Sequence, residues 1–345
     1  MKNIKIGRKM VGEGFPPLIV AEAGINHNGE MGKAKQLIDA ASKAGADAIK
    51  FQTHLPEKEM LPQGITADYV GEPLFDLLKR IELSAEDHRE LFNYASEKRI
   101  MFLSTPFSRE AADLLHNLGV LVFKVGSGEL TNIPLLKHIA RKGKPMIIST
   151  GMSEWKEIEE SISIVRDINN DIILMQCTST YPTEYKHINL KVIEKLKKAF
   201  DLPVGLSDHS IGIYTALGAI ALGANIIEKH FTISREWPGP DQKASIEPPE
   251  LIELVKGARA IYEALGSEKR VIKGERDVQR MARESVIAIK DIPPNTIITR
   301  DMVWVKRPGT GIPAKDLEKV IGKRTKREVL KDTLLRWEDL DEWVC

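Results

Sequence analysis

The chain has little of what would tie it to an oxidising compartment, a polyanion or a lipid bilayer. Two cysteines, Cys177 and Cys345, occur in 345 residues. They provide no disulfide framework, so a reducing, cytoplasmic setting is expected. Net charge is nearly absent: 50 Lys and Arg against 49 Asp and Glu leave +1, which offers no electrostatic footprint for nucleic acid or an anionic membrane. The opening residues, MKNIKIGRKM, lack the apolar stretch of a secretory signal. One long uncharged run exists, Ile211–Ile227, close to the length of a membrane span. It is rich in Gly and Ala, and Gly223-Ala224-Asn225 reads as a turn between a helix and a strand, so the run is assigned to the core. What is present, 42% hydrophobic and 29% charged residues, suits a globular protein with a sizeable interior. The length accommodates one large domain plus an appendage.

Short apolar runs recur along the chain. LIVAEAG (18–24), AIKFQ (48–52), MFLSTP (101–106) and VFKVGS (122–127) read as strands, as do PMIIST (145–150), IILMQCT (172–178), PVGLSD (203–208) and IIEKHF (226–231). They are continuously apolar, the mark of parallel strands covered on both faces. Helical patterns such as Lys33–Lys43, Ala85–Lys98, Glu154–Arg166 and Leu190–Phe200 lie between them. Eight strand–helix units over about 250 residues predict a (β/α)₈ TIM barrel, an α/β fold, over residues 1–266. A doubly wound open sheet is the competing architecture. The Pro- and Gly-spotted insertion between Thr53 and Ile81 shows no clear periodicity and is expected to act as a lid. After a final helix, Pro248–Leu265, residues 267–283 are polar and read as a linker or exposed helix. Residues 284–345 form β-rich pieces and predict a small second domain, one short enough to gain stability by docking on another surface.

In such a barrel the active site forms at the C-terminal ends of the strands. Those ends carry Glu22; Lys50 and Gln52; Ser104 and Thr105; Lys124, Ser127 and Glu129; and Ser149 and Thr150. Strands six to eight add Thr178, Ser179 and Tyr181; Ser207, Asp208 and His209; and Glu228, Lys229 and His230. A single polar strand end is commonly a helix cap; eight of them converging are better explained by a site. Lys50 and Lys124 with Thr105, Ser127, Ser149 and Ser207 offer donors for a phosphate and a carboxylate. His209 and His230 end neighbouring strands and, flanked by Glu22 and Asp241, suit an open mixed nitrogen and oxygen site for a divalent ion such as Mn²⁺, with Mg²⁺ or Co²⁺ as alternatives.

The stretches EAGINHNG (22–29), AGADAIKFQTH (44–54), FLSTPFS (102–108), KVGSGE (124–129) and STGMS (149–153) resemble the sialic acid synthase family. So do CTSTYPT (177–183), GLSDHS (205–210), EKHFT (228–232) and PGPDQKAS (239–245), and WVKRPGTG (304–311) is similar to the family's C-terminal antifreeze-like domain. Bacterial N-acetylneuraminate synthases match best, with legionaminic and pseudaminic acid synthases as near relatives. The resemblance implies condensation of phosphoenolpyruvate with an N-acylated hexosamine, giving a nine-carbon sialic acid and phosphate. It assigns the metal to His209 and His230, and phosphoenolpyruvate to Lys50, Thr105, Lys124, Ser127, Ser149 and Ser207. Gln52, Ser179, Tyr181, Asp241 and Arg307 fall to the sugar, and Glu129, with Glu22 competing, to the proton of the attacking water. Arg307 would arrive from the tail domain of the other subunit in a domain-swapped homodimer. The sequence departs from the N-acetylneuraminate pattern at Ser179, where those enzymes carry Asn, and at the insertion, which lacks an obvious sugar-binding Asn. Three other readings stay open: a Schiff-base aldolase using Lys124 or Lys229, an acceptor bearing its own phosphate, and a non-catalytic carbohydrate-binding protein.

Overall fold

The computed structural model of the protein describes residues 2–63, 66 and 70–341, so Cys345 and five residues of the insertion lie outside the described residues. The chain divides into two compact units, 1–266 and 267–345.

The first unit opens with an antiparallel hairpin, β1 (Ile4–Ile6) and β2 (Lys9–Val11). Eight parallel strands follow: β3 (Leu18–Gly24), β4 (Ala48–Thr53), β5 (Met101–Pro106), β6 (Phe123–Val125), β7 (Met146–Ser149), β8 (Ile172–Cys177), β9 (Val204–Asp208) and β10 (Ile226–His230). Their spatial order is β5-β4-β3-β10-β9-β8-β7-β6, and the end strands β5 and β6 touch across a seam without a ladder among the described residues. Sequential order around a ring excludes the open, doubly wound alternative; the sheet is a nearly closed barrel. A helix precedes each return to the sheet. Met31–Ala44 is typical: it ends at Gly45, whose left-handed φ of +81° lets its N–H cap the carbonyls of Ala41 and Ser42. Ser84 and Asp87 form a reciprocal capping box that starts Ala85–Glu97.

Two cores result from the alternation of strand side chains. One lies between the strands and the surrounding helices and holds Ile49, Phe51, Phe123, Leu206 and Ile227. The other fills the barrel itself with Val20, Ala48, Leu103, Val122, Ile147, Ile173, Met175 and Ile226. Ile4, Ile6 and Val11 of the hairpin join this inner core and close the barrel bottom. The uncharged run resolves into a helix, Tyr214–Ala221, and strand β10, joined through Gly223 at φ +87°. Among the described residues no helix is long and apolar enough to cross a membrane.

The described residues of the insertion carry more regular structure than their sequence announces. It contains helices Pro56–Glu59 and Leu74–Ile81, and Leu77, Leu78 and Ile81 pack with Ile25 in a small separate cluster. Two turns are too short for helical periodicity to stand out from the surrounding Pro and Gly.

In the second unit, residues 267–283 include a helix, Glu275–Ala282, with no buried residue. β11 (Ser285–Ala288) and β12 (Val303–Lys306) pair antiparallel. Val286, Ile292, Ile298, Val303, Ile312 and Leu335 form the unit's own apolar core.

Candidate active site

Within the barrel the inward side chains change character from bottom to top. On β3, Val20 gives way to Glu22; on β4, Ala48 to Lys50 and Gln52; on β10, Ile226 to Glu228 and His230. Thr105, Lys124, Ser149, Cys177 and Ser207 complete the same upper layer. With Ser127, Glu129, Ser179, Tyr181 and His209 from the loops above, they line a cavity of about 370 Å³ at the C-terminal mouth.

Charge is concentrated at its floor. Glu228 Oε1 accepts from Ser207 Oγ at 3.0 Å and lies 3.6 Å from Lys50 Nζ and 3.8 Å from Lys124 Nζ. Lys50 also pairs with Glu22 Oε2 at 3.0 Å and donates to Thr105 Oγ1 at 3.1 Å. Lys124 donates to Ser149 Oγ at 2.7 Å and to the Val125 carbonyl at 3.1 Å. Burial works against the Lys50 ammonium, but Glu22 and Glu228 outweigh it and raise its pKa. Lys124, with less compensation, is lowered by burial. Burial raises Glu22, with the Glu228 charge reinforcing the shift and Lys50 opposing it. Ser127 Oγ accepts from the Gly151 N–H at 3.1 Å and faces the same floor.

Glu129 stands apart from this network. Its Oε2 is buried without a partner, and burial pushes the carboxyl up to about 7. A Cβ on Gly126 would lie 2.4 Å from that oxygen, so glycine there makes room for the carboxylate.

His209 and His230 face each other with ring centroids 5.3 Å apart, and the Tyr181 ring covers both, at 4.2 Å and 5.4 Å. His209 Nδ1–H donates to the Thr178 carbonyl at 2.8 Å, so Nε2 carries the lone pair in the neutral ring; burial lowers the pKa of His209, but Cys177 and Thr178 outweigh it and raise it. His230 Nδ1 is buried without a hydrogen bond, 3.7 Å from Asp241 Oδ2. Burial lowers the His230 pKa well below the ordinary range and raises Asp241 to about 6. Among the described residues no group of three or more His, Cys, Asp or Glu is placed to hold a metal ion by itself. Two imidazoles, one of them kept neutral by burial with an orphaned nitrogen beside a carboxylate, offer an open two-nitrogen site that water and substrate would complete.

A second cavity of about 360 Å³ adjoins the first and shares Gln52, Glu129, Tyr181 and His230 with it. Ile25, Met60, Val70, Leu74, Leu78 and Phe107 form its apolar walls, Asp241 is at its edge, and no Lys or Arg is among its described lining residues. At the junction, Asp241 Oδ2, Gln52 Nε2 and Glu22 Oε1 all come within 3.4 Å of where a Cβ on Gly24 would sit.

The sequence-predicted residues of the barrel unit thus converge. Arg307 does not belong to this unit; it is exposed in the second. Ser179 Oγ sits 3.7 Å from Cys177 Sγ on the cavity wall. Glu228 had no role assigned from sequence, although it stands two residues before His230 and shares its face. Cys177, held by His209 and Ser127 near a pKa of about 7 despite burial, was missed in the same way. Lys229 and Asp208 have the opposite parity. They form a buried ion pair of 3.0 Å outside the barrel lumen, and Asp208 also accepts from the Ser210 N–H at 2.9 Å and Thr215 Oγ1 at 2.6 Å. Lys229 is therefore structural, and only Lys124 is left for a Schiff-base reading.

Residues 37–270 match the NeuB family and residues 283–341 the SAF domain. The N,N'-diacetyllegionaminic acid synthase of Campylobacter jejuni is 41% identical over 92% of this chain and 98% of its own. Human N-acetylneuraminate-9-phosphate synthase is 37% identical over 96% of this chain and 95% of its own. The crystal structure of an N-acetylneuraminic acid synthetase from Leptospira borgpetersenii superimposes with a TM-score of 0.73 at 36% identity, covering 80% of this chain and 95% of that one.

Proposed function

Because the chain belongs to the NeuB family and ends in a SAF domain, we propose that it condenses phosphoenolpyruvate with an N-acylated amino sugar, giving a nonulosonate of the sialic acid type and free phosphate. The observation that carries this reading is the two-lobed cavity: one lobe floored by buried lysines and hydroxyls, the other with apolar walls and without a Lys or Arg among its described lining residues, with Glu129 and His230 shared by both.

Lys50, Thr105, Lys124, Ser127, Ser149 and Ser207 hold the phosphate and carboxylate of phosphoenolpyruvate, whose charge replaces Glu22 and Glu228 as the lysines' counter-ion. Its C3 attacks the aldehyde carbon of the open-chain sugar, and water adds to the cationic C2. Glu129 takes the proton of that water, a role suited to a carboxyl poised near neutrality; Glu22 is the competing group. The tetrahedral intermediate then expels phosphate by C–O cleavage. His209 and His230 would hold a divalent ion, Mn²⁺ by first choice, and when bound it would supply Lewis acidity toward the aldehyde oxygen. Gln52, Ser179, Tyr181 and Asp241 contact the sugar, together with the partner subunit's Arg307 in a domain-swapped dimer.

The acceptor lobe favours an unphosphorylated sugar, N-acetylmannosamine or a 6-deoxy di-N-acetylated hexose. Apolar walls suit acyl and methyl groups, whereas a second phosphate would meet the carboxylates of Glu59, Glu129 and Asp241 without a Lys or Arg among the lobe's described residues. The test is phosphate release from phosphoenolpyruvate with Mn²⁺ and each candidate acceptor, including N-acetylmannosamine 6-phosphate. Release with the unphosphorylated sugars is expected. Release with the 6-phosphate alone would overturn the acceptor assignment, and no release with any acceptor would favour a non-catalytic protein.

A further inference from the structure

The wall of the acceptor lobe includes a buried pair, His54 and Glu59. His54 Nδ1 lies 2.7 Å from Glu59 Oε1, and their side chains are 11% and 3% exposed. Glu59 Oε2 also accepts from the Leu55 N–H at 3.2 Å, so the carboxylate is held from two directions. The imidazole stacks on Phe107 with centroids 4.2 Å apart and planes 10° from parallel. Its Nε2 is 3.0 Å from Gln52 Oε1, while Gln52 Nε2 donates to Glu22 Oε1 at 3.1 Å.

The protons in this chain are constrained. With Glu22 ionised opposite Lys50, its Oε1 accepts, so Gln52 presents its NH₂ to Glu22 and its carbonyl to His54. In that orientation the Gln52 carbonyl calls for a proton on His54 Nε2, with Nδ1 turned to Glu59. Without the pair, the amide of Gln52 has nothing to choose between its two orientations except Glu22. A flipped amide would set a carbonyl against the Glu22 carboxylate and exchange donor for acceptor toward the lobe.

We propose that Glu59 and His54 are positioning residues: they lock the amide of Gln52 with its NH₂ toward Glu22 and the acceptor lobe, and so determine acceptor recognition. The proposal rests on the phosphoenolpyruvate–amino sugar reading for its substrate and on the hydrogen-bond chain for its mechanism. It concerns the acceptor and not phosphoenolpyruvate, because neither residue lines the lysine-floored lobe.

The experiment compares wild type, His54→Phe, His54→Gln and Glu59→Gln in full steady-state kinetics. His54→Phe keeps an aromatic ring for Phe107 and removes the donor; it should raise the acceptor KM about tenfold, the scale of one lost buried hydrogen bond, and leave the phosphoenolpyruvate KM unchanged. His54→Gln restores a donor near the Nε2 position and should recover most of the loss, with Glu59→Gln intermediate. Equal shifts in both KM values, no shift, or a Gln variant as impaired as Phe would overturn the proposal. A second measurement needs no turnover: in ¹⁵N-histidine-labelled wild type, His54 Nε2 should be protonated at neutral pH, and an unprotonated Nε2 sinks the orienting role. If the wild type releases no phosphate with any sugar, the reaction assignment fails, and the Nε2 protonation state alone decides the positioning role.

Discussion

Glu129 keeps one buried oxygen unpartnered, and burial lifts its pKa from the ordinary carboxylate value to about 7. The folded state then holds this proton more tightly than the unfolded chain. Its contribution to stability is therefore greatest below the unfolded pKa and is lost as pH rises toward about 7. Glu129→Gln should remove that loss, so the variant melts above the wild type at pH 8 in a thermal scan. Its kcat should nevertheless fall by about 10²–10⁴, the usual share of a general acid or base. Lys124→Met deletes a cation from the floor and leaves Glu228 less compensated. We expect the phosphoenolpyruvate KM to rise by about two orders of magnitude, with little effect on acceptor KM. Lys229→Met behaves differently: it strands Asp208 in the helix–strand layer and should cost about 3–5 kcal/mol of stability in denaturant titration. Borohydride treatment with a carbonyl substrate should leave no adduct on Lys124 or Lys229; an adduct on Lys124 would restore the aldolase reading.

Among the elements, the hairpin and the insertion seal opposite ends of the barrel unit's interior. Ile6 is wholly buried against the inner core, so Ile6→Ala should lower stability by about 2–5 kcal/mol through the cavity it leaves, without changing either KM. Leu78 is equally buried, but in a small cluster that lines the acceptor lobe. Leu78→Ala should loosen that cluster locally, raising acceptor KM and speeding amide exchange in Leu74–Ile81 while the global melting temperature moves little. The strands could be read from the chain because each is a continuous apolar run, and parallel strands buried on both sides require that. The hairpin could not: three-residue strands carry too few positions for a pattern, and their burial depends on a barrel bottom assembled from distant residues. For the same reason the insertion looked structureless, since Leu77, Leu78 and Ile81 become a face only once Ile25 supplies the opposing surface.

At the scale of the whole molecule, the barrel unit carries every proposed site residue except Arg307. Subunit mixing tests whether the partner supplies it. A Lys124→Ala barrel and an Arg307→Ala tail are each impaired alone. In a domain-swapped dimer, half of the sites in a mixed dimer regain both residues, so random exchange should restore about a quarter of wild-type activity. No restoration would assign Arg307 to its own chain's site or to none.

From the sequence alone came the repeating strand–helix order, the polar residues at eight strand ends and the motifs of a phosphoenolpyruvate-using family, because periodicity and local chemistry are properties of neighbouring residues. The tertiary structure decided which of those polar residues share a space. Side-chain parity sends Glu228 and His230 into the lumen and Lys229 away from it, and barrel closure sets Lys50 and Lys124, 74 residues apart in the chain, around one carboxylate oxygen. It also aligned Glu59, His54, Gln52 and Glu22 into one hydrogen-bonded chain. Direction and distance between side chains exist only once the strands are placed.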